Sequence, residues 1–84
     1  MIIDSHCHLT YEPISKSLDA TISRANKDGV DYLLTISTED KSYENILKIV
    51  DNYKCVYGTY GIHPHEAKNH LNIKAQDIIN KINL

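Results

Sequence analysis

Three short runs rich in β-branched and aromatic residues, Ile2 to Cys7, Val30 to Ile36 and Cys55 to Gly61, are each followed by a segment of helical period, and no hairpin turn joins any two of them. This alternation constrains the fold more than any other feature. Strands that cannot pair through a tight turn pair through crossovers, and crossovers of ten or more residues are helices laid across a parallel sheet. The order is therefore β-α-β-α-β-α, an α/β chain with a parallel sheet. The pattern alone does not distinguish an open sheet from part of a barrel.

The helical segments can be read more closely. After a loop containing Pro13, the residues Ile14, Leu18, Ile22 and Ala25 fall at helical spacing, and Gly29 stops that helix. Ser37 or Thr38 is expected to cap the second helix, with Glu39 and Asp40 favourably placed in its first turn. Tyr43, Ile46, Leu47 and Val50 give it an apolar face, and Lys41, Glu44 and Lys48 a wet one. A last helix, about Ile73 to Ile82, is amphipathic through Ala75, Ile78, Ile79 and Ile82.

Length and composition set outer limits. Eighty-four residues suffice for a single domain, 1–84, and a hydrophobic content of 42% argues against disorder. A chain this short buries only roughly 60–65% of its extended surface, so its stability is marginal. The net charge of −2 speaks against a dedicated nucleic-acid binder with a basic stripe. A nuclease can manage without one, because bound cations supply local positive charge. Cys7 and Cys55 are too few for a disulfide framework and read as inert, reduced thiols in strands, which points to the cytoplasm. No apolar run approaches the ~18 residues of a membrane span, and Met1-Ile2-Ile3-Asp4 does not open a secretory signal.

Two stretches carry chemistry. In Asp4-Ser5-His6-Cys7-His8, residues two apart on a strand share a face, so His6 and His8 present their imidazoles together at its C-terminal end. That is a natural pair of ligands for a divalent metal. Asp4, on the same face if the strand is regular, could buttress a ligand imidazole. The second stretch is Gly61-Ile62-His63-Pro64-His65-Glu66-Ala67, which leaves the third strand at the same edge of the sheet, where α/β proteins bind ligands. Pro64 stiffens it and pushes His63 towards extended geometry. Glu66 is either a solvated carboxylate or a general acid or base. His70 is expected to be solvated or to cap the last helix.

Together, MIIDSHCHL at the N-terminus and GIHPHEA some fifty residues on resemble the two opening signatures of the TatD deoxyribonuclease family, and Arg24-Ala25 and Gly29-Val30 fall where that family's first helix and second strand lie. The resemblance covers essentially the whole chain. It implies the first three units of a TIM-type (β/α)8 barrel of the metallo-dependent hydrolase superfamily, and hydrolysis of DNA phosphodiester bonds. It makes His6 and His8 metal ligands, His63 and His65 substrate-binding residues, and the cofactor a divalent cation, Mg, Mn or Zn. The family's bridging glutamate, further histidines and late aspartate would follow Leu84, so no catalytic residue is assigned within the chain. The expectation is an N-terminal portion, inactive and weakly metal-binding alone, with a second chain as a candidate source of the missing barrel. Two readings compete: a remnant of a split reading frame, and a small module in which His6, His8, His63 and His65 close one four-histidine metal site.

Overall fold

The structure is a computed structural model that describes residues 1–82. Its strands are β1 (Ile2–Cys7), β2 (Val30–Thr35) and β3 (Val56–Gly58), and its helices α1 (Leu18–Lys27), α2 (Asp40–Asn52) and α3 (Ala75–Ile82). Short 3-10 segments lie at Ile14–Lys16 and Pro64–His70. All pairings are parallel and the strand order is β1-β2-β3, as the alternation requires. No helix among the described residues is long and apolar enough to cross a membrane.

One face of the sheet is covered. Leu33 and Val56 lie in register beneath Ile22 of α1 and Ile49 of α2, and Leu9 closes the same core. The apolar face of α2 is centred on Tyr43, Ile46 and Ile49, with Leu47 and Val50 only half-buried, so the stripe is turned slightly from the expected one. Helix and sheet meet closely at Gly58, where an added Cβ would overlap Ile46 Cγ2 and meet Val50 Cγ2 at 3.3 Å. Gly29 has a φ of 99°, and its left-handed conformation turns the chain from α1 into β2.

The other face is open. Ile3, Tyr32, Leu34 and Tyr57 border a shallow apolar hollow of about 320 Å³. Ile79 and Ile82 of α3 are exposed as well, while Ile78 is half-buried, so among the described residues part of that helix's apolar side is uncovered. The accessible surface is 6081 Å² for 9.6 kDa. A folded monomer of that mass exposes roughly 5,100 Å², about 1,000 Å² less.

Several expected boundaries move. Neither Ser37 nor Thr38 caps α2. The N-cap is Glu39, whose amide donates to Ser42 Oγ at 3.5 Å, while Ser42 Oγ donates to the Glu39 carbonyl at 2.8 Å. Ser37 is buried instead, and its hydroxyl donates to that same carbonyl at 3.1 Å. Ile14 lies in its own 3-10 turn, outside α1. β3 stops at Gly58 because β2 has ended at Thr35. The Thr59 amide still reaches the Thr35 carbonyl at 3.2 Å, but the Thr59 hydroxyl is taken by the Ser37 amide. The last helix begins at Ala75.

Candidate metal-binding site and adjoining cleft

The strand carrying the first histidine pair is not regular. Asp4 pairs with Leu33 and Cys7 with Thr35, so β1 takes three steps where β2 takes two. Such a bulge frees an amide from the ladder and re-aims side chains. Here the freed amide belongs to His6, and Asp4 Oδ1 accepts it at 3.1 Å. Asp4 is therefore committed to its own backbone and does not buttress an imidazole. Its register partner Leu33 turns to the helices, as does Thr35 beside Cys7. Burial, and then the Asp4 carboxylate, push the Cys7 thiol up to about 11, so it stays protonated and unreactive.

By alternation from Cys7, the slip turns His6 and His8 to the open side. Their ring centroids are 5.1 Å apart, edge to face. His8 lies just beyond the strand, and Leu9 after it is anchored: the Leu9 amide donates to Thr35 Oγ1 at 3.1 Å, and Thr35 is wholly buried. His8 Nδ1 is buried without a hydrogen-bond partner. An orphaned imidazole nitrogen is costly in a protein interior. A cation, or an acceptor on a further segment, would satisfy it. The pair thus fits a divalent metal as two donors of a larger set.

The second histidine pair sits on the neighbouring loop. His63 donates its amide to the Thr38 carbonyl at 2.7 Å, which ties this loop to the end of β2. Pro64 starts the 3-10 segment, and His63 Nδ1 accepts the His65 amide at 3.1 Å. With Nδ1 accepting, the ring's proton sits on Nε2, which is free to donate outward. The two rings are 4.6 Å apart. Tyr11, Thr38, His63, His65 and Glu66 line a cleft of about 240 Å³. Glu66 faces this cleft and accepts from Asn69 Nδ2 at 3.3 Å.

Among the described residues, no three His, Cys, Asp or Glu side chains gather closely enough to hold one metal ion. The four histidines form two separate pairs, so the closed four-histidine site is not assembled. His70 does cap a helix, though not the last one: its Nε2 accepts the Asp40 amide at the start of α2, at 3.3 Å. Tyr11 had no signal of its own in the sequence. Its ring stacks on His8 at 4.6 Å and 16°, and its hydroxyl donates to Thr38 Oγ1 at 3.3 Å. Thr35 was likewise silent, and Thr38 carried only a helix-capping signal.

A parallel sheet with helices on one face and an open second face has the architecture of a section of a TIM-type barrel, with a histidine pair at the C-terminal end of its first strand. The crystal structure of YjjV, a TatD homologue from Escherichia coli K12, superposes with a TM-score of 0.74 at 28% identity, covering 95% of this chain and 29% of that one. The chain belongs to the TatD related DNase family, whose model matches residues 3–83. In sequence it is 29% identical over 76 residues to the metal-dependent hydrolase YjjV of Escherichia coli, covering 90% of this chain and 29% of that protein. It is 29% identical over 66 residues to the 3'-5' ssDNA/RNA exonuclease TatD of Citrobacter koseri, covering 79% of this chain and 25% of that protein. The chain thus spans less than a third of the length of these relatives.

Proposed function

We propose that residues 1–84 form one unit that supplies part of the metal site and part of the substrate cleft of a metal-dependent hydrolase acting on phosphodiester bonds in DNA. His6 and His8 are its metal ligands. The observation that carries this reading is the edge-to-face pair at the end of β1 with an unpartnered, buried His8 Nδ1. A bound divalent cation, Mg, Mn or Zn, would polarise a phosphoryl oxygen and lower the pKa of a water. His63 and His65 bind substrate: His63 Nε2 and the Thr38 hydroxyl offer donors to a phosphate oxygen across the cleft. Glu66 borders that cleft.

Two imidazoles leave most of the coordination sphere to other donors, so metal binding by the chain alone is weak and DNA cleavage by it negligible. Activity requires the remaining strands, from this polypeptide or from a second one, and the compartment is the cytoplasm. Titration with zinc or manganese, alongside a metal-supplemented assay on single- and double-stranded DNA, tests the reading. The expected result is weak binding that disappears in His6→Ala, with cleavage appearing only when a complementary barrel segment is added. Metal binding unaffected by His6→Ala and His8→Ala would overturn it.

A further inference from the structure

Four contacts run without a break from the first histidine pair to the second. Tyr11 donates its amide to the His8 carbonyl at 3.2 Å, and its ring lies flat on the His8 imidazole at 4.6 Å and 16°. Its hydroxyl donates to Thr38 Oγ1 at 3.3 Å. Thr38 in turn accepts the His63 amide at its carbonyl, at 2.7 Å. The same tyrosine borders the cleft with His63, His65 and Glu66. Tyr11 is about half exposed, at 48%, so core packing does not explain where its ring sits.

We propose that Tyr11 is a positioning residue: its ring fixes the plane of the metal-binding His8, and its hydroxyl, through Thr38, sets that imidazole against the loop carrying His63. The proposal rests on the reading of His8 as a metal ligand. An imidazole free to turn about its side-chain bonds loses part of its affinity to the entropy of being held. Most ligating histidines are held by a hydrogen bond from the second ring nitrogen, and losing that support costs typically about 10–100-fold in affinity. Among the described residues no side-chain hydrogen bond holds the His8 ring, and the stacked tyrosine is the restraint present. The hydroxyl has a different task, because Thr38 holds Tyr11 by its side chain and His63 by its backbone.

The two tasks separate by substitution. Tyr11→Leu removes ring and hydroxyl, Tyr11→Phe only the hydroxyl, and Thr38→Val only its acceptor. The full chain is studied by competition with a chromophoric chelator for zinc, by the visible spectrum of bound cobalt(II), and by hydrogen exchange of segment 59–66 without metal. Tyr11→Leu is expected to weaken metal binding about 10–100-fold and to alter the cobalt spectrum. Tyr11→Phe should restore both. Tyr11→Phe and Thr38→Val should each speed exchange at the His63 amide. Wild-type affinity and spectrum in Tyr11→Leu, or unchanged exchange in both hydroxyl variants, would overturn the proposal. Failure of the metal reading looks different: no variant, His6→Ala included, changes metal binding, while the exchange differences persist.

Discussion

Replacing Thr35 with Val tests the anchoring of the histidine strand most directly. Thr35 has no exposed surface, and its Oγ1 is the acceptor for the Leu9 amide at 3.1 Å. Valine has nearly the same shape, so the substitution removes the acceptor and leaves a buried N–H unpaired beside Leu9, itself 2% exposed. An unsatisfied buried donor costs about 1–3 kcal/mol. Each kcal/mol is worth roughly 4–8 °C of Tm in a domain of this size. Thr35→Ser makes the opposite exchange, keeping the hydroxyl and losing one methyl at about 0.8 kcal/mol. Urea and thermal unfolding should therefore rank wild type above Thr35→Ser and Thr35→Val lowest, with faster exchange at the Leu9 amide in the valine variant alone. If Thr35→Val proves more stable than Thr35→Ser, the methyl matters more than the hydroxyl and the anchoring argument fails.

Gly58→Ala should cost about 1–3 kcal/mol by overpacking, because the new methyl meets Ile46, which is 1% exposed and cannot withdraw; an unchanged urea midpoint would contradict the close approach. The Asp40 carboxyl is held below its ordinary 3.8 chiefly by the Tyr60 hydroxyl, which donates to it at 2.7 Å, and secondarily by Lys81. Its contribution is present above the ordinary carboxylate range and fades as pH falls through the lowered value, a modest effect for a partly exposed pair. Tyr60, raised to about 12 by burial and by Asp40, contributes below pH 10 and loses that contribution as pH rises towards 12. Tyr60→Phe should flatten both limbs, and ultraviolet titration of tyrosinate should lose its latest component. The open sheet face should make the chain self-associate, and Tyr57→Lys, at a position 56% exposed, should shift sedimentation towards monomer; a wild-type chain monomeric at every concentration would refute this.

The strand–helix alternation was readable because burial imposes it on every turn and every second residue, and the limits of β1 came out as Ile2–Cys7. The nearness of the two rings within each histidine pair was readable too, since the two residues are only two positions apart in the chain. What the sequence hid are features that depend on a partner far along the chain. The slip at Ser5 and His6 is a relation between β1 and β2, and nothing in Asp4-Ser5-His6 declares it. The expectation for Asp4 failed for that reason. Serine and threonine cap helices so often that Ser37 and Thr38 looked sufficient. Ser37 was instead drawn into the interior, and Glu39 capped with Ser42 as its partner. Tyr11 is one tyrosine among six, and only its position over His8 sets it apart.

The uncovered sheet face also leaves a calorimetric mark. A fully packed chain of 84 residues should unfold with a heat-capacity increment of about 1.0–1.3 kcal/mol/K. Apolar surface already wet in the folded state adds nothing to that increment. With about 1,000 Å² more surface than a closed monomer exposes, the shortfall is on the order of 0.2–0.4 kcal/mol/K, according to how much of it is apolar. The missing amount reappears with negative sign when strands close over Ile3, Tyr32, Leu34 and Tyr57. Roughly a quarter of the heat-capacity increment, and with it of the curvature of stability with temperature, therefore resides in the association of this sheet with the strands that cover it.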